Sequence, residues 1–189
     1  MATIHTTQCH TTNHINSNID ILKTKLQETL EDIDGQIWII PDAVFSTESH
    51  QISVDIVLVG YLKGYGSDKK NYSFVTAVEV KHHSIEGLSL KGDKLFAEYS
   101  NGVINVTNQS YMQKISVAEA LNKTNTNPPY VSSLIWLDNI STSELQSITL
   151  PDIITADFSA ENLLNKIIRE ATHSEEEVAA MAEILCKGN

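Results

Sequence analysis

Apolar and polar positions follow two different periods along the chain. From Ile19 to Ile33 the apolar residues recur at steps of three and four, which predicts an amphipathic helix over about residues 17–33. The segments QIWII (36–40) and QISVDIVLVGYL (51–62) predict strands, and the second is apolar on both faces, as a central strand is. The pattern therefore predicts a helix followed by the start of a sheet.

The strand pattern continues beyond a polar turn. KGYGSDKKN (63–71) carries turn residues, so YSFVTAVEVKHH (72–83) is expected to pair antiparallel with the strand before it. Short apolar runs separated by Gly-Asp and Asn-Gly turns over residues 87–108 predict a small hairpin at a sheet edge.

The second half of the chain alternates helix and strand. A helical period predicts a helix over 109–124, and YVSSLIWL (130–137) predicts a strand. DIITADF (152–158) predicts one more short strand, SAENLLNKIIREA (159–171) a helix, and the acidic end a last helix. This order predicts an α/β fold with a mixed, largely antiparallel central sheet flanked by helices.

Length and composition limit the domain organisation. With 189 residues and 41% hydrophobic content, the chain suits one domain, which we expect over residues 17–172 between a polar, flexible tail (1–16) and an acidic C-terminal helix (173–189). No segment approaches the roughly 18 apolar residues of a membrane helix, and the start lacks a signal-peptide pattern. We therefore expect a cytoplasmic protein with no membrane partner.

Charge and cysteine content exclude some classes of protein. The formal net charge of −11 argues against a broad basic surface for nucleic acid. The acid is unevenly placed, however, because Glu175, Glu176 and Glu177 lie in the last helix while lysines recur between residues 63 and 94. Two cysteines near opposite chain ends give neither a disulfide framework nor a zinc ribbon.

Three charges stand in the two most apolar strands. Within TAVEVKHH (76–83), Glu79 and Lys81 share one face of a strand because residues i and i+2 point the same way. Asp55 stands in the preceding strand, and the intervening turn suits adjacent antiparallel strands. Two neighbouring carboxylates are able to hold a hard divalent cation, and a lysine is able to orient water and offset phosphate charge. The arrangement predicts metal-assisted phosphodiester hydrolysis.

This pattern resembles the PD-(D/E)XK nuclease superfamily, with Asp55, Glu79 and Lys81 at its motif positions. VDIVLVG, AVEVK and SSLIWLDNIS look more narrowly like the nuclease-related domain called NERD, over roughly residues 18–171. The resemblance implies a restriction-endonuclease-like fold that cleaves DNA with Mg²⁺ or Mn²⁺. It also implies a helicase or ATPase domain as partner, in phage defence or DNA repair.

The resemblance also implies residue roles. Asp55 and Glu79, with the carbonyl of Val80, would ligate the metal, and Lys81 would position the attacking water. A glutamine on the following helix would face the site, and Gln113 is preferred to Gln109, which stands at the predicted helix start.

The sequence departs from the family pattern in two places. Val54 stands before Asp55, where the motif has proline. The first helix should supply a further acid, for which Asp20, Glu28 and Glu31 remain alternatives, and Lys23 occupies the position that the pattern assigns to an acid.

Other interpretations stay open. The three charges also suit a structural ion-pair network, a non-catalytic nuclease-like domain that binds DNA or a protein partner and regulates an attached module, or an RNase. His83 would share the face of Glu79 and Lys81 if the strand continued that far. Residues with the spacing of metal ligands also occur near the N-terminus; they are His5, Cys9, His10 and His14. The first turn carries basic residues that suit either contact with a DNA backbone or an ordinary exposed turn; they are Lys63, Lys69 and Lys70.

Overall fold

The computed structural model describes residues 1–7, 13–46, 51–124, 127–145, 150 and 152–187, without the side chains of residues 13 and 14. The strands in these ranges are β1 (Thr3–Thr6), β2 (Asp34–Ser46), β3 (Gln51–Tyr65), β4 (Lys70–Lys81), β5 (Leu88–Lys91), β6 (Lys94–Tyr99), β7 (Gly102–Asn105), β8 (Val131–Leu137), β9 (Ile153–Thr155) and β10 (Arg169–Glu170). The helices are α1 (Asn13–Thr29), α2 (Val106–Asn122), α3 (Ala160–Ile167) and α4 (Glu175–Lys187).

The central sheet is mixed, and its longest strands are antiparallel. Its strand order is β1-β2-β3-β4-β8-β9, and β10 also pairs with β4. β2, β3 and β4 run antiparallel in succession, whereas β8 lies parallel to β4 after the α2 crossover. The fold class predicted from the sequence is confirmed, including the central place of β3, which is the longest strand and is apolar on both faces.

Helices cover both faces of this sheet. On one side, the α1 face, α1 and α3 cover a core that includes Leu22, Leu26, Ile56, Val78, Leu163 and Leu164. On the other side, the α2 face, α2 and α4 cover a second core that includes Val57, Ala77, Val117, Leu121, Val178 and Met181. Because side chains of a strand alternate between faces, the two cores fix which residues of β3 and β4 point toward α2.

The segment 87–108 differs from the predicted edge hairpin. β5, β6 and β7 form a separate three-stranded antiparallel sheet, here called the small sheet. Leu95 and Ala97 of its middle strand are fully buried in a cluster with Leu137 of β8. Three short strands with one apolar face bury that face against the end of the central sheet rather than extend its edge.

The N-terminal segment carries more structure than its composition predicts. β1 lies parallel to β2 along residues Gln36–Ile39, and α1 begins at Asn13. The predicted tail over 1–16 therefore contains a strand and the first turn of a helix. Among the N-terminal metal candidates, Cys9 and His10 and the side chain of His14 lie outside the described residues, while His5 stacks on Trp38 with ring centroids 5.1 Å apart.

No helix in the described ranges combines the length and the apolarity that a membrane crossing needs.

Candidate functional site

The pairing of β3 with β4 places Asp55 beside Glu79. The last register pair in this direction is Ile56 with Val78, so Asp55 and Glu79 are the next residues on their strands. Glu79 follows the alternation of Val75 and Ala77, whose side chains point toward α2. The backbone N–H of Val80 donates a hydrogen bond of 2.7 Å to Asp55 Oδ2, and this contact joins the two strands at the site.

Glu79 is the most buried charge of the group, with 1% of its surface exposed. Its Oε1 forms an ion pair with Lys81 Nζ, and its Oε2 accepts a hydrogen bond from Gln113 Nε2 on α2. Gln113 Nε2 also donates to the Ser53 carbonyl at 3.0 Å. The fold thus brings together Asp55, Glu79, Lys81 and Gln113, the four residues that the sequence analysis predicts for the site.

The two glutamines of α2 differ in their contacts. Gln113 bridges β3 and β4 through one nitrogen, while its Oε1 is buried and has no hydrogen-bond partner in the described part of the chain. Gln109, one turn earlier, has a buried Oε1 that is likewise without a partner there. Only Gln113 touches a carboxylate of the site, as the resemblance implied.

The carboxylates repel each other, and the site compensates incompletely. Burial and then the charge of Glu79 raise the pKa of Asp55 to about 7, although the Val80 N–H and the Lys81 ammonium oppose the shift. Asp42 of β2, whose φ is +45°, also raises the pKa of Asp55, and burial raises its own pKa. At neutral pH the site therefore holds a carboxyl that is poised to gain or lose a proton.

Opposing effects act on the pKa of the Lys81 ammonium. Burial lowers the pKa of its ammonium, but the Glu79 carboxylate and Tyr99 together raise it by more, so the pKa lies above its ordinary value. The ammonium stays charged, and it neutralises Glu79 within a buried pair.

Tyr99, at the end of β6, is a site residue that the sequence analysis missed. Its ring centroid lies 5.8 Å from Lys81 Nζ, and the His83 ring meets it edge to face at 4.6 Å. β4 ends at Lys81, so His83 does not continue the strand as predicted. It reaches Tyr99 from the following segment instead.

A second polar cluster lies where β4 and β8 end. Asp138 accepts a hydrogen bond of 2.9 Å from Asn18 Nδ2 of α1 and pairs with His82 Nδ1 at 3.0 Å. The Asp138 N–H donates to the Lys81 carbonyl at 3.2 Å. Sequence pattern alone did not single out Asn18 or Asp138, because their contacts join residues 120 positions apart.

The first helix does not bring its candidate acids to the site. The side chains of Asp20, Glu28 and Glu31 are all exposed, and Lys23 is half-buried. The buried polar residue of α1 is Asn18, 2% exposed. Its amide donates to Asp138 and not to a carboxylate of the site.

The lysines of the first turn lie at the opposite end of β4. Lys63 pairs with Asp34 at 3.3 Å and with Glu175 at 2.7 Å, which fastens the start of α4 to the sheet. Lys70 pairs with Glu170 at 2.8 Å. These contacts are structural ion pairs rather than part of the site.

The donor set suits a hard divalent cation in one way and resists it in another. The described residues contain no group of three or more His, Cys, Asp or Glu side chains arranged to hold a metal ion. Mg²⁺, however, is commonly held by one or two carboxylates and several waters. Such a cation would reduce the repulsion between the Asp55 and Glu79 carboxylates. Asp55 and Glu79, with the Val80 carbonyl, are therefore a fitting set once Glu79 exchanges Lys81 for the cation.

Fold and site together define an α/β domain in which a half-buried aspartate, a buried glutamate, a lysine and a glutamine meet between β3, β4 and α2. Comparison with protein-family models, with curated proteins and with solved structures found no match to this chain. The likeness to the PD-(D/E)XK and NERD families therefore depends on the motif and its strand context.

Proposed function

We propose that the protein is a divalent-metal-dependent nuclease that hydrolyses DNA phosphodiester bonds. The observation that carries the proposal is the convergence of Asp55, Glu79, Lys81 and Gln113 from β3, β4 and α2. Burying an ion in a protein costs on the order of several kcal/mol of desolvation free energy. A sheet that served only the core would carry apolar residues there.

The family resemblance implies a role for each residue. Asp55 and Glu79, with the Val80 carbonyl, would hold Mg²⁺ or Mn²⁺, which when bound polarises the phosphate and lowers the pKa of a bound water. Lys81 would orient the attacking water and offset charge that develops on the phosphate. Gln113 would hold Glu79 in place through the amide that also bonds to Ser53.

A second candidate function has an observation of its own. Both oxygens of Glu79 are already engaged, by Lys81 and by Gln113. A site of this kind also suits a nuclease-like domain that lost its activity and binds DNA or a protein partner to regulate an attached module. Metal binding separates the two candidates, because only the nuclease requires Glu79 to release Lys81.

The deciding experiment is a cleavage assay with supercoiled plasmid, linear duplex, single-stranded DNA and RNA, each with Mg²⁺ or Mn²⁺. We expect cutting of DNA by the wild type and none by Glu79→Ala or Lys81→Ala. Glu183→Ala and Lys187→Ala are the matched controls, because they remove an exposed acid and an exposed lysine that pair at 3.5 Å on α4. Cleavage of RNA alone would make the protein an RNase.

Absence of cleavage by the wild type leads to a second measurement. If calorimetry with Mn²⁺ also detects no binding that depends on Glu79, the nuclease proposal is wrong and the non-catalytic candidate replaces it. If Mn²⁺ binds but DNA stays intact, the assay is repeated with a helicase or ATPase domain of the kind that the resemblance implies, in the setting of phage defence or DNA repair. Such a motor would supply DNA affinity that an acidic domain lacks.

A further inference from the structure

Tyr99 is the contact between the small sheet and the charged site. It is the last residue of β6 and pairs across the strands with Gly102. Lys81 Nζ lies over the Tyr99 ring, 5.8 Å from its centroid, and the neighbouring Tyr99 side chain helps to raise the pKa of the ammonium. A tyrosine offers a cation both the negative face of its ring and a hydroxyl acceptor.

The ring is held in place from its other side. His83 meets it with centroids 4.6 Å apart and planes at 75°. The Nδ1 atom of His83 is buried and has no hydrogen-bond partner within the described ranges. The ring of His83 therefore packs against Tyr99 while its Nδ1 atom makes no hydrogen bond there. The small sheet is in turn fixed to the central sheet through the fully buried Leu95 and Ala97.

Lys81 thus has two partners, and only one of them is a carboxylate. The proposed function requires Glu79 to turn from Lys81 to a divalent cation. A lysine side chain has four flexible carbon–carbon bonds and gains rotamer freedom when it is released from an ion pair. An ammonium that lost Glu79 and had no other partner would move away from the reacting phosphate.

We propose that Tyr99 is a positioning residue that keeps the Lys81 ammonium at the site when Glu79 binds the metal. The inference rests on the proposed function and assigns the small sheet a part in it: β6 delivers the second partner of the lysine. Tyr99 acts through Lys81 and makes no contact with the metal. Its loss should therefore affect the turnover step more than the binding of DNA.

The test follows Lys81 directly by NMR of protein labelled with ¹³C at lysine Cε, with the signal assigned from Lys81→Arg. In the wild type we expect an upfield ring-current shift that persists when Mg²⁺ replaces EDTA. In Tyr99→Leu the shift should be lost in both conditions. Tyr99→Phe keeps the ring without the hydroxyl, so it should keep the shift and remains informative if Tyr99→Leu does not fold.

Kinetics give the second readout. We expect Tyr99→Leu to lower kcat on the order of tenfold, as misplacement of a catalytic group does, while the KM for DNA changes by less than about twofold. Tyr99→Phe should lie between this variant and the wild type. Tyr130→Leu is the matched control, since the exposed Tyr130 ring lies 4.9 Å from Lys114 Nζ, and it should leave kcat unchanged.

The outcomes separate the two proposals. If the wild type cleaves DNA but Mg²⁺ abolishes the ring-current shift of Lys81, or if Tyr99→Leu keeps the full kcat, the inference about Tyr99 is wrong and the nuclease proposal stands. If the wild type cuts no DNA and Mg²⁺ changes neither the Lys81 signal nor those of its neighbours, the nuclease proposal fails and the inference falls with it.

Discussion

The Val80 N–H and the Asp55 carboxylate are joined by a hydrogen bond of 2.7 Å. This bond makes one oxygen of Asp55 part of the sheet, while its burial beside Glu79 raises the pKa of the same carboxyl to about 7. A group that is tied to the backbone and yet carries a mobile proton couples the stability of the domain to pH.

Asp55→Asn should therefore change how stability depends on pH. In the folded protein the pKa of Asp55 is raised from 3.8 to about 7, so between these values the folded state keeps a proton that the unfolded state releases. The stability that this proton contributes is complete below about pH 4 and is lost as pH rises through the folded pKa. Asp55→Asn removes this pH dependence. The unfolding free energy of the variant, relative to that of the wild type, should therefore be higher at pH 8 than at pH 5 by on the order of 2 kcal/mol.

The measurement is urea unfolding in EDTA at both pH values. Asp20→Asn, which changes an exposed acid of α1, serves as the control. An equal effect of Asp55→Asn at pH 5 and pH 8 would contradict the raised pKa.

Metal binding should strengthen with pH for the same reason. The metal needs the deprotonated form of Asp55, whose pKa is about 7, so Mn²⁺ affinity measured by calorimetry should rise from pH 6 to pH 8 and protons should be released. At a concentration of about one hundred times Kd the metal should stabilise the wild type by about 2.7 kcal/mol. Asp55→Asn and Glu79→Gln should lose this gain, and a gain that survives in both would place the metal elsewhere.

The buried pair of Lys81 and Glu79 should behave as a unit. Lys81→Met leaves the carboxylate of Glu79, 1% exposed, without its cation and should cost about 3 kcal/mol of unfolding free energy. The double variant Glu79→Gln/Lys81→Met removes both charges and should recover most of that loss. A double-mutant cycle measured by urea unfolding tests the coupling, and strictly additive effects would show that the two side chains do not interact.

The two glutamines of α2 provide a matched comparison. Gln113→Met removes the donor to Glu79 and to the Ser53 carbonyl, and it should cost about 1–3 kcal/mol because buried acceptors lose their partner. Gln109→Met removes a buried oxygen that has no partner in the described residues. It should change stability by less than about 0.5 kcal/mol, so equal losses in thermal or urea unfolding would refute the assignment of Gln113.

Strand periodicity accounts for the part of the site that the sequence predicted. Asp55, Glu79 and Lys81 stand in strands whose faces alternate regularly, so a two-residue period and an antiparallel turn are enough to bring them together. Gln113 came from the family resemblance, because helical periodicity does not say which of two polar residues one turn apart reaches a carboxylate. The central sheet and its flanking helices follow from the same local patterns.

Tyr99 and Asn18 show what local patterns do not determine. Tyr99 reaches Lys81 only because the small sheet packs against the end of β8, a contact between separate sheets. The sequence predicts a helix from about residue 17, but α1 begins at Asn13, so Asn18 lies inside the helix, where it is buried. The three acids proposed for the first helix are exposed. Which side chains of α1 are buried depends on the face that the helix turns toward the sheet, and local pattern does not assign single polar residues to that face.

Gln113 also has a consequence for the order in which the domain folds. Its single amide nitrogen joins Ser53, 60 residues earlier, to Glu79, 34 residues earlier. These contacts close longer stretches of chain than the turn between β3 and β4, so we expect them to form after that turn. The charges of β3 and β4 would then stay open to water until α2 docks, and the burial that raises the pKa of Asp55 would be completed at that step.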